Sequence, residues 1–334
     1  MWWEGLIKYH AAMTTRISLH AAVPEDLSGN RLDQIAAKLF PEYSRARLQS
    51  WIKDGSLVVN TRKLKPRDKL ATGDLIEVEA EMAADETFSA ESIPLDIVFE
   101  DEHLLVLNKG IAMVVHPAAG NRAGTLLNGL LHHYPVLQEL PRAGIVHRLD
   151  KDTSGLMVVA KSLRAHTGLV KLLQARKVTR EYEAIVKGVL TGGGTVDQPL
   201  GRHPVNRKKR AIVENGKLAI THYRVITKFR AFTHVQVNLE TGRTHQIRVH
   251  MAAINHALVG DPLYGGRLQL PAACSPALAE YLHTFRRQAL HARKLALVHP
   301  VTKEEMCWET ARPADMYVLL ELMAADGRAK QAAT

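Results

Sequence analysis

The segment Ala143-Gly144-Ile145-Val146-His147-Arg148-Leu149-Asp150-Lys151-Asp152-Thr153-Ser154-Gly155-Leu156 constrains this chain more than any other, because it sets a carboxylate between an apolar approach and a tight polar turn. Gly144-Ile145-Val146 is a short β-branched run, Lys151 to Gly155 carries turn residues, and Leu156-Met157-Val158-Val159-Ala160 restarts a strand. The pattern predicts a hairpin with Asp150 at its mouth, held by rigid backbone on both sides. Local chemistry leaves two readings side by side. Asp150 is a reactive carboxylate presented beside a strand, or Asp150 and Asp152 are hairpin ends that accept backbone hydrogen bonds.

The 334 residues suffice for about two domains with substantial cores, and an apolar share of 46% marks a globular chain. Lys and Arg number 44 against 34 Asp and Glu, a net charge of +10. That balance suits a polyanionic partner, although it also occurs in basic proteins that bind no nucleic acid. Cys274 and Cys307 lie far apart and neither belongs to a Cys-x-x-Cys pair. Their placement argues against a structural zinc site or a disulfide scaffold and suits a reducing compartment, so the expected location is the cytoplasm. No apolar stretch approaches the roughly 18 residues of a membrane span, and no membrane partner is expected. Residues 1–12 include Glu4 and Lys8 and lack the basic-then-apolar order of a signal peptide. Met13 opens a strand-like segment and stands as an alternative start; residues 1–28 read as an extension with a strand-like lead-in.

Between Arg31 and Val78 the pattern is helix, helix, strand, strand. Leu32, Ile35, Ala36 and Leu39 recur at helical spacing, and Ser44 is placed to cap a second helix carrying Leu48, Trp51 and Ile52. Arg45, Arg47 and Lys53 share that second helix, and Arg62, Lys63, Lys65, Arg67 and Lys69 flank the strands, so basic residues concentrate on a module over residues 29–79. Glu79, Glu81, Asp85, Glu86 and Glu91 then mark an acidic linker over residues 80–93. A larger domain is expected over 94–325, followed by a tail over 326–334. It opens with paired strands at Ile97-Val98-Phe99 and Leu104-Leu105-Val106-Leu107. A helix from Ser162 to Arg176 carries Leu163, Leu169, Val170, Leu172 and Leu173 on its apolar side. Strands are expected at Tyr182–Leu190, Ala219–Thr227 and His234–Leu239. Clustered strands with irregularly interspersed helices predict an α+β domain on a mixed, largely antiparallel sheet.

The ten-residue string His147-Arg148-Leu149-Asp150-Lys151-Asp152-Thr153-Ser154-Gly155-Leu156 resembles the catalytic motif of the pseudouridine synthases that modify large-subunit ribosomal RNA. Arg180-Glu181-Tyr182-Glu183-Ala184, the run from Leu239 to His250 and Gly260-Asp261-Pro262-Leu263-Tyr264-Gly265 agree with it in order, and the resemblance covers roughly residues 29 to 325. Residues 29–79 resemble an S4-type RNA-binding domain through Ser44-Arg45, Val59-Asn60 and Gly73-Asp74. The resemblance implies the pseudouridine synthase fold, with the cleft across the sheet's middle. It implies a reaction that breaks the bond between uracil N1 and ribose C1′, turns the base and rejoins it through C5. Asp150 is the implied catalytic carboxylate. Arg248 is the implied cation beside it, able to orient it through two parallel hydrogen bonds. Tyr182 is placed against the target base and Ile247 supplies the opposing wall, where stacking is worth roughly 1–3 kcal/mol. The uridine must be flipped out, and Arg148 would fill the vacated space; its bland alternative is an ion pair with Asp152. Arg45, Arg47, Lys53 and Lys63, together with Arg207, Lys208, Lys209 and Arg210, are the implied phosphate contacts. The expected partner is 23S ribosomal RNA, free or within a large-subunit particle, met by a monomer. The rearrangement has no redox change, so neither a nucleotide nor any other cofactor is expected. Gly110 stands where the family usually carries proline, which loosens a turn near the cleft.

Other constellations are weaker. His245 and His250 are five residues apart, off the spacing of a helical zinc pair, so no metal is expected. Gly192-Gly193-Gly194 lacks the Lys-Ser/Thr of a phosphate loop and reads as a turn. Two functions of other classes remain. One is a nucleoside or glycoside hydrolase using Asp150 and Asp152 as a carboxylate pair. The other is a ribosome assembly factor that holds RNA in the same cleft without chemistry.

Overall fold

The computed structural model describes residues 15–41, 43, 45–82, 88–117, 121 and 123–332. The chain forms two compact units, within residues 1–88 and 89–334. Met13 and Ser44, the alternative start and the expected cap, lie outside the described residues.

The smaller unit runs β1 (Thr15–Ala22), α1 (Leu32–Leu39), α2 (Arg45–Asp54), β2 (Leu57–Val59) and β3 (Leu75–Met82). Its antiparallel sheet has the order β1-β3-β2. β1 pairs with β3 along its whole length, so the lead-in is part of this unit's sheet. Leu32, Ile35 and Ala36 of α1 and Leu48, Trp51 and Ile52 of α2 are buried against that sheet, as the helical spacing predicts. Asp33 is buried among them, which a carboxylate tolerates only with partners. It accepts hydrogen bonds from Arg31 at 3.0 Å, Arg45 at 2.7 Å and Gln49 at 2.7 Å. Asn60 donates to Asp74 at 2.8 Å and accepts from the Leu75 amide at 2.9 Å, so two of the residues that carry the S4 resemblance lock one turn to the next.

The linker expectation needs two corrections. Glu79 and Glu81 lie in β3, paired with Ser18 and Arg16, because alternation continues through Met82. Ser89 to Ile93 dock onto the larger unit, which therefore begins before Pro94. The Asn128 amide donates to Ser89 O at 2.8 Å, the Glu91 amide donates to Asn128 O at 3.0 Å, and the Glu91 carboxylate accepts from Gly124 N–H at 3.0 Å.

The larger unit begins β4 (Ile97–Glu100), β5 (Leu104–Lys109), α3 (Leu126–His133), β6 (Ser154–Ala160), α4 (Leu163–Gln174) and β7 (Thr179–Lys187). It continues β8 (Gly194–Asp197), β9 (Leu200–Arg202), β10 (Arg210–Ile212), β11 (Ile220–Lys228), β12 (Phe232–Leu239) and α5 (Gln246–Ala253). It ends α6 (Pro276–Thr284), β13 (Leu290–Val298), β14 (Glu305–Glu309) and α7 (Ala314–Ala332). Among the described residues nine strands form one sheet in the order β4-β5-β6-β13-β7-β12-β11-β8, with β14 beside β13. All pairings are antiparallel except β6 with β13. The α+β, largely antiparallel expectation holds. Leu163, expected on the apolar side of α4, is 61% exposed because it is the helix's first residue, beyond the core that Ala165 and Leu169 reach.

That one parallel pairing is short, joining Ser154 and Gly155 to His291 and Ala292. Gly155 lies at φ +115°, and a Cβ there would stand 2.2 Å from Ala292 O. Only glycine lets the two strands meet this closely. The seam falls mid-sheet, immediately after Asp150. Among the described residues no helix is long and apolar enough to cross a membrane.

Candidate active site

The approach to Asp150 is less regular than its β-branched residues suggest. Arg142, Ala143 and Gly144 all take positive φ, and the strand-like run reduces to one antiparallel bridge, Ile145 to Val159. A Cβ on Gly144 would lie 1.9 Å from Ala160 O, so the chain must turn sharply before it can lie against β6. Past the bridge, His147 Nε2 accepts the Val158 amide hydrogen at 3.0 Å, and the ring nitrogen takes the place of a strand neighbour. Burial, helped by Arg180, pushes the His147 pKa down to about 3, which keeps that nitrogen an acceptor. Leu149 is buried in the core, and the Thr153 amide closes the turn onto Asp150 O at 3.1 Å.

Each of the five residues from Asp150 to Ser154 is then held by a different partner. Arg248 donates to Asp150 Oδ2 at 2.9 Å. The Lys109 ammonium donates to Lys151 O at 3.0 Å, and Arg287 to Asp152 O at 3.3 Å. Gln288 donates to Thr153 Oγ1 at 3.0 Å, and Ser154 Oγ meets His291 Nδ1 at 2.9 Å. Lys109 is fully buried; its other two protons go to Gly110 O at 2.7 Å and Met113 O at 3.1 Å. Burial pushes the Lys109 pKa down to about 8, against the pull of Asp152 and Asp150, so it remains an ammonium at neutral pH.

A cavity of about 770 Å³ opens over this turn. It brings together Arg148, Asp150, Tyr182, Ile247 and Arg248. Asp150 is 17% exposed at the side chain, Tyr182 and Ile247 are buried in the walls, and Arg148 is exposed at the rim with no ion pair among the described residues. Asp152 stands outside the lining, so the cavity does not present the two carboxylates of the hydrolase alternative. The basic segment over residues 203–209 joins β9 to β10, with Arg207 and Lys208 exposed. Lys209 lies 5.8 Å from the Tyr264 ring centroid, and the Arg210 amide donates to Tyr264 Oη at 2.8 Å.

Arg248 differs from the expected arrangement. Its two-pronged hydrogen bond goes to Asp261, Nε to Oδ2 at 2.7 Å and Nη2 to Oδ1 at 3.0 Å, and only Nη1 reaches Asp150. Asp261 has the better geometry for the fork because Leu263 and Tyr264 amides, at 2.8 and 3.0 Å, fix its carboxylate. Burial disfavours both charges, but the Asp261 contact raises Arg248 above its usual range and holds Asp261 below the usual carboxylate range. Arg45 and Lys63 are also partly committed elsewhere: Arg45 to Asp33, and Lys63 to Asp54 O, the last carbonyl of α2, at 2.6 Å. Arg47 and the exposed Lys53 lie on α2 in the same unit.

A model of the RNA pseudouridylate synthase family matches residues 103–253, and one of the S4 domain matches residues 30–76. The chain is 57% identical over 317 residues to ribosomal large subunit pseudouridine synthase D of Pseudomonas aeruginosa, covering 95% of this chain and 99% of the relative. This chain belongs to the pseudouridine synthases. The protein of the same name from Escherichia coli K12 is 52% identical over 315 residues, 94% of this chain and 97% of that one. A solved structure of human RNA pseudouridylate synthase domain containing 4 matches with a TM-score of 0.53 at 26% identity, over 68% of this chain and 92% of that one.

In this synthase the site includes residues that local sequence reading passes over. Asp261, His245, Tyr264, Arg180 and Lys109 surround or underlie Asp150. Arg180 lines the cavity, buried, with Nη2 on Glu240 O at 3.3 Å and Nε without a hydrogen-bond partner among the described residues. His250, weighed above with His245 as a metal pair, is committed to Thr221 at 2.9 Å and Gln198 O at 3.0 Å.

Proposed function

We propose that this synthase isomerises uridine to pseudouridine in 23S ribosomal RNA, within the conserved intersubunit hairpin of helix 69, with Asp150 as the catalytic carboxylate. The observation that carries the reading is Asp150 itself, paired to Arg248 at 2.9 Å and facing a cavity walled by Tyr182 and Ile247. A cavity of about 770 Å³ is ample for one nucleotide. Relatives named for the large subunit support the substrate class.

A paired uridine cannot present its glycosidic bond to Asp150, so it is flipped out at a cost of a few kcal/mol, with Arg148 at the rim entering the vacated space. Tyr182 and Ile247 hold the detached uracil while it turns; C1′ rejoins at C5 in place of N1, the C5 proton leaves to water and N1 takes up a proton from water. Arg207, Lys208, Lys209 and Arg210 beside the cavity, with Arg45, Arg47, Lys53 and Lys63 of the S4 unit, hold phosphates and give affinity without sequence reading.

Tritium release from C5-labelled 23S RNA tests this directly. Wild-type protein is expected to release tritium, and Asp150→Asn to release none while binding RNA with nearly unchanged affinity. Turnover by Asp150→Asn would sink the role given to Asp150, free uracil would point to a hydrolase, and pseudouridines mapped outside the hairpin would overturn the proposed target.

A further inference from the structure

We propose that His245 is a positioning residue for Asp150, held by Tyr264 in the tautomer that carries its proton on Nε2. The inference rests on the reading of Asp150 as the catalytic carboxylate.

The two oxygens of Asp150 are not equivalent. Oδ2 is taken by Arg248, whereas Oδ1 faces His245 Nε2 at 3.9 Å. His245 caps α5 with a left-handed backbone, φ 58° and ψ 21°. A non-glycine residue there costs about 1–2 kcal/mol, so the surrounding structure must sustain it. The ring is anchored at its other nitrogen, with Nδ1 2.8 Å from Tyr264 Oη and the rings edge to face at 5.7 Å. The direction of that hydrogen bond follows from donor order. The Tyr264 oxygen already accepts the Arg210 amide hydrogen at 2.8 Å, so its own proton turns to His245 Nδ1. Nδ1 is then the acceptor, and a neutral ring must carry its hydrogen on Nε2, aimed at Asp150 Oδ1.

The groups facing the ring are Asp150 from the catalytic turn, Arg248 from α5, Asp261 and Tyr264 from the segment after α5, and Arg210 from β10. Burial, assisted by Arg248 and Arg210, lowers the histidine's proton affinity more than Asp150 and Asp261 raise it, which keeps the ring neutral near pH 7. A gap of 3.9 Å exceeds a hydrogen bond and leaves Oδ1 to the substrate. Contacts of this kind commonly tighten only when the site is filled. The imidazole then limits where Oδ1 can swing and biases the carboxylate toward one approach to the flipped nucleotide.

The tautomer is read on histidine-labelled wild-type protein by long-range proton–nitrogen correlation NMR. A neutral Nε2–H ring at His245 is expected near pH 7, and Tyr264→Phe is expected to populate the Nδ1–H form. A wild-type ring that is Nδ1–H or cationic overturns the proposal. The second measurement is single-turnover tritium release at saturating RNA, with RNA affinity measured in parallel. His245→Gln puts an amide nitrogen near the Nε2 position, so it should stay within about tenfold of wild type, whereas His245→Asn falls short and should lose on the order of a hundredfold. Affinity should not move in either. Equal losses in the two variants, or a loss confined to affinity, overturn the proposal. Turnover by Asp150→Asn would instead remove the reading beneath it, while the tautomer result on wild-type protein stands independently.

Discussion

Replacing Asp261 with asparagine turns one carboxylate oxygen into an amide nitrogen and leaves the side chain's shape intact. Oδ1 accepts from the Leu263 amide at 2.8 Å, the Tyr264 amide at 3.0 Å and Arg248 Nη2 at 3.0 Å, while Oδ2 accepts Arg248 Nε at 2.7 Å. The backbone amides keep the remaining oxygen at the Oδ1 place, so the new amide nitrogen faces Arg248 Nε, donor against donor. Asp261 is fully buried at the side chain and Arg248 is 5% exposed, so solvent does not replace the lost acceptor. Breaking a buried pair from one side costs about 3–5 kcal/mol. A total stability of about 5–15 kcal/mol leaves the variant folded. The guanidinium loses the fork that fixed its plane, and with it the geometry it imposes on Asp150. A displacement of about 1 Å at a reacting group costs on the order of a hundredfold in rate. Urea denaturation should show the stability loss, and single-turnover tritium release at saturating RNA should show the rate loss with RNA affinity unchanged. Wild-type turnover in a protein destabilised as expected would refute the claim that Asp261 sets the aim of Arg248 on Asp150.

Gly155→Ala forces a Cβ to within 2.2 Å of Ala292 O at positive φ, and should destabilise the larger unit by about 2–5 kcal/mol in urea denaturation. Arg207→Ala with Lys208→Ala removes two exposed charges from the β9–β10 connection; RNA affinity should fall at low salt and its salt dependence should flatten by about two phosphate contacts, with the single-turnover rate kept. Acidification should destabilise the protein. Burial alone would raise Asp33, Glu183, Asp261 and Asp315, but their hydrogen-bonded partners outweigh it and lower all four. Their contribution is present above the unfolded value near pH 4 and is lost as pH falls through the lower folded values, so urea midpoints should drop below about pH 4. A Cβ at Gly110 meets no described residue within 4 Å at ordinary φ, and Gly110→Ala should raise stability by about 0.4–1 kcal/mol in the same assay.

The parts of this fold that were legible in the sequence are those whose causes are local. Helical spacing in Leu32-Ile35-Ala36 and the continuous apolar run Leu104-Leu105-Val106-Leu107 reflect what is buried, one face of a helix and both faces of a strand, and the structure keeps both. The turn after Asp150 was legible for the same reason, since turn residues act within a few positions, whereas the approach before it was not, because Arg142 to Gly144 take positive φ and only Ile145 bridges to β6. What joins Asp150 to Arg248 spans 98 residues, and only the family resemblance brought the two together. Asp261 gave no local sign, because a lone aspartate in a loop looks the same whether it meets water or a buried guanidinium. β13 escaped notice although it sits beside β6 and β7 in the sheet. His291, Arg293 and Lys294 interrupt its apolar residues, and their partners, Ser154, Glu183 and Glu309, come from other strands. Tyr264 and His245 belong to the same category, polar residues whose meaning depends on a hydrogen bond made across the fold.

The five separate tethers on residues 150–154 bear on how this enzyme should fail. Ligand loops ordinarily open locally, well before the domain around them unfolds. Here the anchors come from β5, from α5 and from the Arg287 to His291 segment entering β13, so no small fluctuation releases the turn without breaking the seam. Backbone amides at Thr153 and Ser154 should therefore exchange with solvent at the rate of whole-domain opening. On heating, the chemical step should survive until the sheet itself comes apart, and the two losses should share one midpoint.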